Sequence, residues 1–582
     1  MRRSLARCVP LGFLTALACG PASDDATLTG GAVRPDGVAF AIGDPPHEQI
    51  VRSTHGVVVS QAPFASAAGA HILSIGGNAV DAAVATAFAL TVVEPGNSGL
   101  GGRTQVLVRQ PDGTLDAVDG TNQVPASYPA DTVVGADLTS GYGMIGIPGT
   151  VAALATVLDR HGSLPLATVI APAVALAEQG FPLGEDQAAA LARVADDLRL
   201  YDGSRTYFLK PDGTPYAAGE RWVQTDLAAT LRAIGEEGAD VFYHGWIADR
   251  IAEDMAAHGG YVTKADLEAY RTQDALIAQT DYRGYRIVGT YLPAGGANVQ
   301  AQLTMMEIAA PEPLAFGFPW AATLTQALLF GFEDRLVDLA DMGPAETFPR
   351  PERMAWLLDP ARLRQRAAGI RVPTAVADAP AAPAREGVFP DGHTTHLSVV
   401  DAEGRAVSLT QSLGPTMGSR VAAPGLGFAY SATMGYLTGT AASSGIRALG
   451  PGDRASSRQS PSLVVGPDGE LAMVIGASGS RRILSAIVQV LSRTIDHGLD
   501  FEAAMAAPRL HIEPGEPGVV FLEAEWPAEI QAQLQAFGYE VRNRLGESVA
   551  NVSAIRWDPA SREAIGVADP RGSGAAVAAA PR

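Results

Sequence analysis

The chain has 582 residues, 47% of them hydrophobic, and a formal net charge of -20. That length and apolar content suffice for one large core or several ordinary ones and exclude a chain disordered throughout. The acidic balance, spread without long runs of one sign, argues against nucleic acid as a partner and for a soluble acidic enzyme or binding protein.

The chain starts with basic Arg2, Arg3 and Arg7, then an apolar run over residues 9–18, then small residues. This pattern predicts an export signal, too short to span a bilayer as a mature helix. Cys19 follows Ala16-Leu17-Ala18, where a bacterial lipoprotein signal is cut. Acylation there makes residues 1–18 the signal and 19–44 a flexible stalk, and tethers the protein to the outer membrane through Cys19. Ordinary cleavage instead gives a free periplasmic or secreted protein. Both cysteines, Cys8 and Cys19, lie in this segment, so disulfides, thiol catalysis and thiolate metal sites are excluded beyond it. The ten histidines show no paired metal-ligand spacing, and His393 and His396 alone do not make a metal site.

From Pro63 the sequence predicts a helix that ends at Gly76-Gly77, and a second that starts after Asn78 and is apolar on nearly every face except Asp81. Such a helix belongs inside a layered fold. A Gly-rich turn follows, then a hairpin of residues 105–109 and 114–118 joined at Pro111-Asp112-Gly113. Gly99, Gly101 and Gly102 precede a strand and lack a following Gly-Lys-Ser/Thr, so a close-approach turn is preferred to a phosphate loop. Residues 145–340 read mainly as amphipathic helices, among them 247–258 and 264–270, the latter with Thr263 as N-cap. Between 358 and 392 the composition drifts to Ala, Pro and Arg, which predicts an exposed, mobile connector. Beyond it the chain turns strand-rich, placing a functional boundary near residue 393.

Asp401-Ala402-Glu403-Gly404-Arg405 suits a hairpin loop with Gly404 in the left-handed position. Partner numbers then sum to 806: Val399 faces Val407, Leu397 faces Leu409 and Thr394 faces Ser412. Opposed residues on one face have Cβ atoms about 5 Å apart, so the two hydroxyls can meet. A Thr–Ser pair of this kind stabilises a sheet. Alternatively, Thr394 is a nucleophile, activated by its own α-amine once the His393–Thr394 bond is cut. An α-amine titrates near pH ~8 and so is partly unprotonated at neutrality.

The stretches GGNAVDAAVATAFALTVVEPGNSGLGG, FYHGWIADRIAEDMAAHGGYVTKADLEAY, TTHLSVVDAEGRAVSLTQSL, GASGSRRI and ADPR together resemble the gamma-glutamyltransferase (glutathione hydrolase) family of N-terminal-nucleophile hydrolases, over nearly all of the mature chain. The resemblance implies an α+β fold, a four-layer αββα sandwich, and self-cleavage into a large subunit, 45–393, and a small subunit, 394–582, that stay together. It further implies that Thr394 is both the autoprocessing residue, cut from His393, and the catalytic nucleophile. Ser412 stands for a family threonine whose hydroxyl supports the nucleophile. Gly479 and Ser480 stand for the Gly-Gly pair whose backbone N–H groups form the oxyanion hole. No metal or organic cofactor is implied, and the substrate is a small amide or peptide: the implied activity is hydrolysis or transfer at γ-glutamyl amide bonds, with an acylase of the same family acting on another amide, or a catalytically inactive surface-anchored binding protein, as alternatives.

The implied substrate grip departs from the family at named positions. Thr121 stands where the family has the arginine that holds the γ-glutamyl α-carboxylate. Ser457 keeps one of two paired serines and Arg458 replaces the other. Gly414, Thr433 and Tyr436 replace the Asn, Gln and Asp that hold the α-amine. Arg458, or Arg103 in the Gly-rich turn, is a candidate to take the carboxylate instead.

Overall fold

Asn78 opens a helix, Ala79–Val93, that is buried along its whole length. Its side chain accepts from the backbone N–H groups of Val80 and Asp81, while Asp81 accepts from the Asn78 N–H at 2.8 Å. A cap of this kind contributes about 1 kcal/mol. Every residue of Ala79–Val93 is buried, as its unbroken apolar face predicts. Asp81, its lone acid, also accepts from the Ser163 hydroxyl at 2.6 Å and from the N–H groups of Ser163 and Leu164. A buried carboxylate is tolerable when its oxygens are filled in this way. The preceding helix, Pro63–Ser74, starts on proline at its first position.

The computed structural model describes residues 40–44, 46–129, 140–340, 350–373, 385–386, 393–432, 434, 450–544 and 548–581. The signal, Cys19, nearly all of the stalk, Thr433, Tyr436 and the centre of the connector lie outside them. Phe40–Arg582 clusters as one unit.

Among the described residues, two sheets of seven strands carry the fold. The first runs, in spatial order, Ala575–Ala578, Gly56–Ser60, His393–Asp401, Ala406–Gly414, Arg103–Arg109, Leu115–Gly120 and Gln273–Asp274. The second runs Ile50–Ser53, Glu563–Ala568, Asn551–Asp558, Leu471–Ser478, Ser462–Val465, Tyr285–Thr290 and Ile277–Tyr282. The sheets pack face to face across a core that includes Val57, Leu107, Val400, Val474 and Ile555. Pro63–Ser74 and Ala79–Val93 cover the outer face of the first sheet, and Gly296–Ala309 with Arg482–Ile495 cover that of the second. The architecture is the αββα sandwich. Both sheets draw strands from both sides of residue 393, so a cut there would leave two interleaved pieces.

The hairpin that begins at Thr394 has the predicted register over most of its length. Thr395 faces Gln411, Leu397 faces Leu409 and Val399 faces Val407, while Gly404 closes the turn at φ +82°. At the open end the register shifts, His393 facing Gly414, so Thr394 sits in an irregularity instead of in a ladder pair. The Asp401 carboxylate binds Arg405 at 3.0 Å and accepts from the Ala79 N–H at 3.0 Å, and Gln411 donates to the Ala87 carbonyl at 2.9 Å. The hairpin is thereby pinned to the buried helix.

Two sequence expectations need correction. The stretch read as mainly helical also supplies the strand pair Ile277–Tyr282 and Tyr285–Thr290, which forms one edge of the second sheet. The connector does not begin at 358, because Asp359 caps a helix, Pro360–Ala367, that buries Leu363. An N-cap Asp followed by Pro at the first helical position overrides the Ala/Arg composition.

Candidate active site

Thr394, Ser412 and the carbonyl of His393 form a triangle of oxygens. The Thr394 hydroxyl lies 3.1 Å from that of Ser412, and each hydroxyl lies 2.9 Å from the His393 oxygen, to which it can donate. The Gly414 N–H donates to the Ser412 hydroxyl at 2.9 Å, which directs the Ser412 proton toward the other two oxygens. Gly414 holds φ +99°, a left-handed conformation that glycine adopts at little cost. The bond expected to be cut therefore has its carbonyl polarised by two hydroxyls, one belonging to the residue expected to attack it.

Gly479 and Ser480 link the end of strand Leu471–Ser478 to helix Arg482–Ile495. Gly479 has φ +128°, and a Cβ there would lie 2.9 Å from the Ala550 Cα. Ser480 is held at φ +58°, a left-handed conformation that costs a non-glycine residue about 1 kcal/mol. At the start of a helix, backbone N–H groups and the positive end of the dipole favour a developing negative charge.

Two cavities meet at Thr394. The larger, about 310 Å³, is lined by Thr394, His393, Glu94, Arg193, Gly479 and Asn551 among others. The smaller, about 20 Å³, is lined by Arg103, Thr394, Ser412, Ser457, Arg458, Gln459, Ser480 and Ile483. Thr394 lines both cavities, Gly479 only the larger and Ser480 only the smaller, so the nucleophile and oxyanion candidates form the wall between them. An amide whose carbonyl sits at this wall must send its acyl group to one side and its leaving group to the other.

Three of the grip candidates, Arg103, Ser457 and Arg458, line the small cavity. Arg103 is directly across from Ser412 on the neighbouring strand and is 6% exposed. Ser457 donates to the Gln459 side chain at 3.0 Å, and Gln459 donates to the Thr410 carbonyl at 2.7 Å, which fixes the Ser457–Gln459 turn against the hairpin. Thr121 does not join them. It is fully buried, its hydroxyl taking the Gln105 amide at 3.0 Å and its N–H bonding Asp119, and it lines neither cavity. His396 is also unrelated to the site: it is buried between Thr410 and Ser398, and burial pushes its imidazole down to about 3.

Comparison with known proteins fixes the lineage. The family model for gamma-glutamyltranspeptidase matches residues 65–579. The chain belongs to the gamma-glutamyltranspeptidase family. It is 32% identical to the glutathione hydrolase proenzyme of Escherichia coli (strain K12), across 90% of this chain and 91% of that protein. It is 33% identical to the acylase ACY 1 proenzyme of Pseudomonas sp. (strain SE83), across 87% and 90%. The crystal structure of cephalosporin acylase from Bacillus halodurans superposes with a TM-score of 0.80 at 27% identity, covering 93% of this chain and 99% of that one. The family thus includes relatives named for two kinds of amide. Members are N-terminal-nucleophile hydrolases, so the chain is an enzyme.

Sequence reasoning missed Glu94 and Asn551 in the larger cavity. Glu94 is an acid closing an otherwise apolar helix, a signal that was available; Asn551 carries none. Among the described residues no group of three or more His, Cys, Asp or Glu is placed to hold a metal, and no helix is long and apolar enough to cross a membrane.

Proposed function

We propose that the chain cuts itself before Thr394 and then hydrolyses γ-glutamyl-type amides, with Thr394 as nucleophile. The observation that supports this best is the triangle of Thr394, Ser412 and the His393 carbonyl at the wall between two cavities. In maturation the Thr394 hydroxyl attacks the His393 carbonyl carbon, the peptide becomes an ester, and water releases a new N-terminus. In turnover the Thr394 Oγ attacks the substrate carbonyl while the Thr394 amine takes its proton and returns it to the leaving amine. The N–H groups of Gly479 and Ser480 hold the oxyanion. Water, or an acceptor amine, then resolves the acyl ester. The acyl group's terminal carboxylate is directed at the small cavity, lined by Arg103, Ser457 and Arg458, which at about 20 Å³ holds about one water and must widen to admit it; the leaving group lies in the larger one.

A second reading, an acylase acting on a carboxylate-tipped acyl group without an α-amine, is favoured by the lining of the small cavity. Its described residues include two arginines and no acid, and Gly414 replaces a family asparagine. We further propose export, with Cys19 as the lipid anchor, on the strength of the leader sequence.

Mass spectrometry of the purified protein tests the main proposal. A small piece starting at Thr394, carrying an acyl adduct after rapid quenching with substrate, is expected; an uncut chain that Thr394→Ala leaves unaltered would sink it. Turnover of a γ-glutamyl anilide against the same anilide lacking its α-amine separates the two readings.

A further inference from the structure

The ADPR stretch, Ala568 to Arg571, has no role in the chemistry above, yet Asp569 and Arg571 line the larger cavity beside Gly479 and Ala550 and continue from there into a buried cluster of ion pairs. Asp569 binds Arg509 at 2.6 Å with both side chains essentially inaccessible. The same Arg509 guanidinium donates to the Ala550 carbonyl at 3.0 Å, and Asp569 accepts from the Val552 N–H at 2.9 Å. Glu523 accepts from the Val549 N–H at 2.7 Å and from the Arg509 N–H at 2.7 Å. Arg571 closes the cluster, binding Glu523 at 2.8 Å and Asp569 at 3.0 Å.

On the other side of this segment, Arg482 donates to the Ser548 carbonyl at 3.1 Å and to the Gly479 carbonyl at 3.0 Å. Backbone groups of residues 548, 549, 550 and 552 are therefore held by charged side chains. Between them Ala550 is forced to φ +67° and lies directly under Gly479. Ser478 faces Asn551 in the sheet, so the same segment also fixes the strand end from which the oxyanion pair departs.

Burying four charged groups is a weak route to stability, since apolar residues of similar volume often do as well. What fixed charges add is direction, because a guanidinium fork and a carboxylate hold backbone carbonyls and N–H groups at set angles. An oxyanion hole needs that, as its donors act only when preorganised to within fractions of an ångström.

We infer that Arg509, Asp569, Glu523 and Arg571 are positioning residues that set the Gly479–Ser480 oxyanion pair through Ala550. The inference rests on the proposal that those two N–H groups are the oxyanion donors. Loosening the clamp should slow the step that develops charge and leave ground-state binding alone.

Two variants of the full chain test it: Asp569→Asn, which keeps shape and removes charge, and Ala550→Gly, which removes the methyl beside Gly479 and frees the left-handed backbone at 550. The readouts are kcat and KM on an anilide that the wild type hydrolyses, per self-cut chain counted by mass spectrometry, together with Tm. Ala550→Gly is expected to keep its Tm within about 3 °C and its KM within about two-fold while kcat falls about ten-fold. Asp569→Asn is expected to lower kcat about 100-fold at similar KM, and Asp569→Glu to recover part of that loss. Wild-type kcat in Ala550→Gly, or a loss that appears in KM alone, would overturn the inference even if Asp569→Asn fails to fold. Wild type and Thr394→Ala run alongside: if those two behave identically, the proposed function has failed, and not the clamp.

Discussion

The two sides of the Thr394 wall are built from different materials. On the reacting side, the features come from backbone geometry: a bulge at His393, a glycine at φ +99° behind Ser412 and a tight turn at Gly479 and Ser480. On the acyl side they come from side chains, namely Arg103, Ser457 and Arg458 around a small cavity. A backbone donor tolerates substitution as long as its dihedral angles are kept, so on the proposed function Ser480 can serve at an oxyanion position, while Ser412 contributes through its hydroxyl. A side-chain grip changes with every residue, and the resemblance implies that Thr121, Gly414 and Arg458 depart from the family's grip. The difference teaches that reaction type and substrate choice are separable here, and that they should fail separately.

The largest break is expected at Thr394. On the proposed function, Thr394→Ala removes the one hydroxyl that would both cut the chain and attack substrate, so self-cleavage should vanish on a denaturing gel and turnover should fall about 1,000-fold or more. On the acyl side, Arg103→Met keeps the stem and deletes the charge. It should raise KM about 100-fold for acyl groups ending in a carboxylate while kcat stays within about three-fold, as a lost charge-assisted contact to the ground state requires. A fall in kcat at constant KM would mean that Arg103 belongs to the reacting side and would dissolve the contrast.

Ser412 gives the smaller, complementary effect. Ser412→Ala should lower kcat about ten-fold and slow maturation with little change in KM, since its hydroxyl contacts the Thr394 Oγ and the His393 carbonyl but only borders the acyl cavity. Ser412→Thr, which keeps the hydroxyl, should stay within about three-fold of wild type. Equal damage from both substitutions would point to packing and not to the hydroxyl.

Much of the reacting side was legible in the sequence because it is local. A hairpin with one good turn predicted partners up to eighteen positions apart, and Thr394 still meets Ser412 although the bulge removes it from the ladder. The clamp behind Gly479 was not legible, because Asp569 and Arg509 are sixty residues apart and meet only once both sheets exist. The strands at 277–290 were missed because their period-2 pattern is interrupted and surrounded by helices. The helix at 360–367 was missed because composition was weighed above the Asp-Pro start signal. Thr121 was placed by correspondence with a family position, and the fold instead uses it to satisfy Gln105 and Asp119.

The last contrast lies within the larger cavity, where Glu94 is a buried carboxyl facing a wall that also carries charge. Burial pushes Glu94 from its ordinary 4.5 up to about 7; Asp186 adds to the rise, while Thr395 and Asn97 beside it pull the other way. A raised carboxyl means that the folded chain keeps a proton that the unfolded chain releases above about pH 4.5. The stability this contributes is complete below that pH and is lost as the pH climbs through about 7. The gap corresponds to about 3 kcal/mol. In the Thr394→Ala chain, expected to stay one piece, urea midpoints should therefore fall between pH 5 and 8. Adding Glu94→Gln, which is neutral throughout, should flatten that slope. Parallel profiles for the two chains would show that Glu94 is ionised in the folded state across this range, with Arg193 or Arg482, which line the same cavity, as the cations to test next.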